Sequence, residues 1–229
     1  MRSTASPPSG ARRGCGLLAA LGVIALGLLA GLYPWVTADR LPRDPTLIRG
    51  TPIPRAVRYT VVPAESDLTL TIDAMFGRVS GHAEMKEGAV ELLREGDGWR
   101  VLASLTMDVS SMNVGNDMVN GLIRRTLGAD AYPHGVFLAR SERTLPDIEH
   151  ATYTVDLVGE LELRGVVQPY TFETVLTFDG DRLVLNATAA VDAKDFGMTV
   201  PRIVGSGVMD TTLYVVTARQ PAGATPGGG

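Results

Sequence analysis

Cysteine is almost absent: the 229 residues hold one, Cys15. No intramolecular disulfide can form, so the fold must rest on its apolar core. A lipid-attachment cysteine follows an apolar run, whereas Cys15 heads one, and it reads as a small apolar residue of that segment. An excess of positive charge is lacking too, with 21 Lys and Arg against 25 Asp and Glu and a net charge of -4. That balance excludes the basic face a nucleic-acid binder needs, and no zinc-finger spacing or aromatic RNA-binding motif occurs. The few histidines, His82, His134 and His150, are scattered without ligand spacing, so no metal site is expected. Neither glycine-rich phosphate motif is present. Gly205-Ser206-Gly207 lacks the spacing and following helix of a nucleophile elbow and reads as a turn. The acid pairs Asp179 with Asp181 and Asp192 with Asp195 fall in turn-like sequence, where Asp bonds its own backbone. No constellation of titratable groups suggests catalysis, and neither an enzyme nor a cofactor is expected.

What is present begins with a long apolar run. Residues 1–13 are polar and end in Arg12 and Arg13, and Gly14–Val36 then carries no charge. At about 1.5 Å per residue this run spans a hydrocarbon core of roughly 30 Å. Tyr33 and Trp35 stand at its far end, where aromatic side chains favour the interface. Two readings follow. One is an uncleaved single-pass anchor with Arg12 and Arg13 in the cytoplasm and the rest outside the cell membrane. The other is a signal peptide cut near Ala38, leaving a periplasmic or secreted protein. The run exceeds the roughly 7 to 15 residues of a signal core, which favours the anchor.

Residues 37–57 hold Pro42, Pro45, Pro52 and Pro54 among charges, the composition of an extended tether. Residues 220–229 are rich in Pro, Ala and Gly and read as a disordered tail. Residues 58–219 remain as the folded domain.

Within it the dominant rhythm is period two. It runs through Leu68, Leu70 and Ile72, then Val101 to Val109, Tyr153 to Leu157, and Leu161 with Leu163. After a turn at Gly165–Pro169 it returns in Tyr170 to Phe178, after Asp179-Gly180-Asp181 in Leu183 to Val191, and last in Val208, Asp210, Thr212, Tyr214 and Val216. Strands so spaced form sequential antiparallel hairpins, and about eight of them close a barrel. One segment departs: Asn116–Leu127 spaces Met118, Leu122 and Ile123 helically, with Asn116 as N-cap and Gly128 as the stop. This short amphipathic helix is expected to cap one end of the barrel. The alternation alone leaves open whether the barrel is filled by side chains or holds a ligand.

From Tyr59 to Val200 the sequence resembles the YceI-like family. The pieces are Tyr59-Thr60-Val61, Ser66 with Leu68, Leu70 and Ile72, and Val79-Ser80-Gly81; then Val109–Asn113, Gly115-Asn116, and Tyr132-Pro133 with Phe137 and Ser141. Gly159, Leu161, Leu163, Arg164-Gly165-Val166 and Pro169 are similar to the family's G-x-L-x-[IL]-x-G-V-x-x-P hairpin, and Asp195-Phe196-Gly197-Met198 to its closing D-F-G-[ML] segment. Five pieces in order are far more specific than any one of them.

The resemblance implies an all-β fold, an antiparallel, eight-strand, lipocalin-like barrel with a capping helix; the N-terminal transmembrane or signal helix read from Gly14–Val36 precedes it. It implies an elongated cavity for an isoprenoid lipid or a quinone, without catalytic residues or metal. With the alternation, it makes Leu70, Ile72, Met107, Met118, Leu122, Ile123, Phe137, Leu161, Phe172, Phe196 and Met198 the candidate ligand-binding residues. One departure is local: where the family often has Arg-Asp-x-His-Leu on its capping helix, this chain has Val119-Asn120-Gly121-Leu122-Ile123. The competing function is a solid-core envelope barrel that acts through protein interaction, for example in stress response.

Overall fold

The computed structural model describes residues 56–74, 77–200 and 207–221. The apolar run Gly14–Val36, the tether up to residue 55 and the tail from residue 222 lie outside them. Among the described residues nine antiparallel strands form one sheet: β1 (Val57–Val61), β2 (Asp67–Ala74), β3 (Gly77–Glu95), β4 (Gly98–Asp108), β5 (His134–Ser141), β6 (His150–Leu163), β7 (Val166–Asp179), β8 (Arg182–Asp192) and β9 (Val208–Arg219). The order is β1-β3-β2-β9-β8-β7-β6-β5-β4, and β3 pairs with β4 to close the ring. Strands β1 and β2 both lie between β3 and β9, separated by a 3-10 turn at Pro63–Glu65. They are two halves of one stave, interrupted where Pro63 supplies no donor to a ladder. The nine segments therefore make the eight-strand closed barrel that the alternation implies.

The hairpin turns follow local chemistry. Between β6 and β7, Arg164 and Gly165 both have positive φ (54° and 72°), the pattern of a two-residue type I′ turn. The expected turn over Gly165–Pro169 is thus corrected to Arg164–Gly165. Pro169 lies within β7, opposite Glu160 of β6 and ahead of the point where β8 joins at Glu173. Its missing N–H therefore leaves no gap in a ladder with β8. In β9 the expected phase is also corrected. Met209, Thr211, Leu213 and Val215 are buried, while Val208, Asp210 and Tyr214 are exposed. Both phases of this strand contain apolar residues, so alternation alone does not fix its inner face.

Helix α1 (Asp117–Leu127) has the expected ends. Asn116 caps it, its Oδ1 accepting from the N–H groups of Met118 (3.1 Å) and Val119 (3.2 Å). Gly128 ends it in the left-handed conformation at φ 66°. Its inward face is not the apolar one read from the sequence. Met118 is 85% exposed and Leu122 is 38% exposed, while Asn120 and Leu127 are buried and Ile123 is half-buried. A polar clasp sets that rotation. Asn120 Oδ1 accepts from Val114 N–H at 2.7 Å, and its Nδ2 donates to Asn113 Oδ1 at 3.0 Å. Asn113 is joined in turn to β3 by paired backbone hydrogen bonds with His82, each 2.9 Å. A buried amide satisfied on both sides outweighs the exposure of one flexible Met.

Candidate functional site

The barrel interior is filled unequally along its axis. In the half away from α1, Tyr59, Leu92, Leu145, Leu157, Leu176, Leu183 and Leu185 are at most 1% exposed and fill the lumen. Toward α1 an apolar cavity of about 40 Å³ remains. Its wall takes Leu68 and Leu70 from β2, Ala83 from β3, Met107 from β4, and Phe137 from β5. Leu161 and Leu163 of β6, Phe172 of β7, Val191 of β8, and Met209, Thr211 and Leu213 of β9 complete the ring. Val109 and Met112 from the β4–α1 connection and Leu127 from α1 close it from above.

Among the described residues no titratable side chain lines this wall. Its one hydroxyl, on Thr211, donates to the carbonyl of Met209 at 3.3 Å. The cavity therefore presents no unsatisfied polar group to an occupant, and what it can do is exclude water from apolar surface. Gly135 keeps the site open, because a Cβ there would lie 2.7 Å from Leu163 and 3.1 Å from Met107. Among the described residues no three His, Cys, Asp or Glu side chains come together to hold a metal.

Of the eleven residues the sequence nominated, Leu70, Met107, Phe137, Leu161 and Phe172 lie in the wall. Ile72 and Ile123 are partly buried, pack against the core and stand outside it. Met118 and Leu122 face solvent. Phe196 and Met198 are buried but serve another element, the 3-10 turn Ala193–Phe196 and the segment after it. There the Phe196 ring stacks on Tyr170 (centroids 5.7 Å apart, 20° between planes). The Tyr170 hydroxyl donates to Asp195 Oδ2 at 2.7 Å and accepts from Asp192 N–H at 3.1 Å. Burial foremost, and the bond to Asp195, push its pKa up to about 12. Asp192 and Asp195 are thus latch residues of a turn, with Asp192 Oδ1 also accepting from Lys194 N–H at 2.9 Å.

Sequence reasoning missed Leu68, Val109 and Leu163, although each extends an alternation it had already followed. Met209 and Leu213 were lost to the phase error in β9. Leu127 was lost to the face error on α1.

A closed antiparallel barrel with an apolar chamber under a helix is the architecture the resemblance implies. A family model described as the YceI-like domain matches residues 59–215. The chain belongs to the YceI-like family. Curated relatives named UPF0312 protein, from two strains of Pseudomonas putida, are 28% identical over 100 residues, covering 41% of this chain. The chain spans about half, 49%, of the length of those relatives. Among solved structures, the YceI-like barrel is similar to BcnA of Burkholderia cenocepacia, with TM-score 0.54 and 15% identity, covering 68% of this chain and 98% of that one. It is also similar to a polyisoprenoid binding domain from Saccharophagus degradans implicated in plant cell wall breakdown, with TM-score 0.55 and 14% identity, covering 72% and 99%. At such identities these likenesses establish a shared fold.

Proposed function

We propose that this YceI-like barrel binds an apolar, lipid-like molecule, an isoprenoid chain or a quinone, without chemical change to it. The observation that carries the reading is the cavity under α1, apolar all round, with its one hydroxyl already satisfied. Such a chamber favours hydrocarbon over water, each buried methylene contributing about 0.8 kcal/mol. Membership of the family and the polyisoprenoid-binding domain with the same fold support the same class of ligand. The charge-free run Gly14–Val36 behind Arg12 and Arg13 supports a location outside the cytoplasmic membrane, with the barrel held near its lipid source.

Filling the cavity tests this. Ala83 lines the wall and is 2% exposed, so Ala83→Leu adds three carbon atoms to a chamber of about 40 Å³. Titrating the full chain with geraniol should show at least a tenfold loss of affinity in the variant, with the melting temperature as a control for folding. Undiminished binding by a folded Ala83→Leu protein would overturn the assignment of the site.

A second reading has its own observation: half the barrel is solid, and Met118 and Leu122 stand exposed on α1. On that reading the outer face of α1 binds a protein partner. Leu122→Asp would then abolish partner capture and leave geraniol binding intact.

A further inference from the structure

The clasp that turns Asn120 inward leaves the opposite side of α1 without cover. Met118 and Leu122, one turn apart, are exposed there, and Arg124 and Arg125, exposed as well, follow in the last turn. Three more apolar residues share that end of the barrel: Tyr132 between α1 and β5, Val167 at the start of β7 and Val208 at the start of β9. Among the described residues seven large apolar side chains are exposed, and these are five of them. The other two, Val175 and Tyr214, sit partway along the outer wall, each paired with Asn186 of β8. The opposite end has none. Its connections present exposed acids instead, Glu95 and Asp97 at the β3–β4 turn, Asp147 and Glu149 between β5 and β6, and Asp179 and Asp181 at the β7–β8 turn. Single exposed apolar residues need no partner, but five gathered at one end give the barrel a directional face.

The length of chain ahead of β1 says what that face can reach. Strand β1 enters at the end away from α1, since Val57 pairs with Leu92, three residues before the Glu95 that opens the β3–β4 turn. Residues 37–56 join β1 to the apolar run Gly14–Val36. Whatever its conformation, a connector of that length reaches at most about 66 to 72 Å. The 11 residues of β4 measure the barrel wall at about 37 Å. The connector can therefore pass the full length of the wall, and a bilayer holding Gly14–Val36 lies within reach of α1. At the effective concentration such a tether imposes, a weak apolar contact is enough to hold the face in place.

On the reading that the barrel is anchored outside the membrane, and independently of what its cavity binds, we infer that the α1 end docks on the lipid surface of that same bilayer. Met118 and Leu122 enter the boundary between head groups and acyl chains, while Arg124 and Arg125 lay their stems along it and carry their guanidinium groups to lipid phosphates. The helix that covers the cavity is thereby set against the lipid phase, and the acidic turns face away from it.

The test uses the full chain with Cys15→Ser, reconstituted in phosphatidylcholine vesicles that carry a nitroxide high on the acyl chains. A fluorescent NBD probe is attached through Met118→Cys in one sample and through Asp97→Cys in another. Docking predicts that quenching at position 118 exceeds that at position 97 by about threefold or more. Leu122→Asp should remove most of the difference. Deleting residues 41–54 leaves six residues between Val36 and Val57, a reach of about 20 Å, and should abolish quenching at position 118 without touching the barrel. Equal quenching at the two positions, none at position 118, or quenching there that survives the deletion would overturn the inference. A partner protein captured through Leu122 by a chain that shows no quenching would give the face to that protein instead. A chain that fails to float with the vesicles would overturn the anchor and this inference together. Geraniol binding, titrated separately in amphipol, keeps the two readings apart: its loss beside intact quenching sinks the cavity reading alone, and the reverse result sinks the docking alone.

Discussion

Replacing Gly159 with alanine would place a methyl group where β5 and β6 leave no space for one. The new Cβ would lie 2.0 Å from the carbonyl oxygen of Leu138, 2.5 Å from Cα of Ala139 and 2.7 Å from its Cβ. The two nearest atoms are backbone, so no side-chain rotation relieves the clash. The strands must part by roughly 1.5 Å to restore ordinary van der Waals separation. That parting strains the ladder around the Ala139 and Gly159 pair, two residues along β5 from Phe137 and its ring contact with Phe172. Overpacking costs about 1 to 3 kcal/mol and each weakened ladder bond about 1 kcal/mol more, so a loss of about 3 kcal/mol is expected. For a domain of this size that lowers Tm by roughly 6 to 12 °C. Gly180→Ala is the comparator, because Gly180 at φ 59° has no atom within 4 Å of its Cβ position. Only the left-handed strain of about 1 kcal/mol applies there, lowering Tm by roughly 2 to 4 °C. Thermal melts of both variants by far-ultraviolet circular dichroism decide the point. A Gly159→Ala protein that melts with its parent, or above Gly180→Ala, would refute the closeness of these strands.

Three further outcomes are expected. Asn120→Ala strands the Val114 N–H and removes one of the two donors to Asn113 Oδ1, which keeps the Gly115 N–H, costing about 1 to 3 kcal/mol; hydrogen exchange should quicken across Asp117–Gly128 before it changes in β6 and β7. The raised pKa of Tyr170, about 12, means that the folded state holds its phenol proton more tightly than the unfolded state. Its contribution to stability is therefore complete below pH about 10 and is lost as pH rises from there through about 12. Ultraviolet titration of Tyr170→Phe should accordingly lack one phenol ionising near pH 12, and a parent-like titration curve would contradict the latch. Gly135→Ala sets a methyl group against Leu163 and Met107 at the chamber and should weaken geraniol binding in a direct titration, as Ala83→Leu does.

The sequence made parts of this architecture legible and hid others for physical reasons. Strands β6, β7 and β8 announce themselves because their inward residues are mostly apolar, their outward neighbours mostly polar, and their turns carry Gly165 and Gly180 at positive φ. Helix α1 was legible at its ends because Asn116 is an N-capping residue ahead of a helically spaced run and Gly128 takes the left-handed conformation after it. Its rotation was not, since Asn120 docks by hydrogen bonds and leaves Met118 outside, against the hydrophobic pattern. Strand β3 is obscured where Ala89, Val90, Glu91 and Leu92 are all buried, so its two faces do not alternate. Glu91 is held there by Arg58 at 2.6 Å, a partner 33 residues away. In the site, Leu70, Met107, Leu161 and Phe172 fall on the alternations read from sequence and Phe137 on the family resemblance, but the boundary between chamber and solid core falls on neither. Phe172 and Phe178 look alike in the pattern of β7, yet one lines the cavity and the other fills the closed half. Side-chain volume across non-neighbouring strands makes that difference, and no local spacing records it.

The most direct test of the central claim is native mass spectrometry of the full chain purified gently from the cells that make it, followed by organic extraction of whatever it carries. The account predicts one apolar, lipid-like molecule per barrel, lost on extraction and displaced by Ala83→Leu. An empty mass that incubation with isoprenoid lipids and quinones leaves unchanged would contradict it.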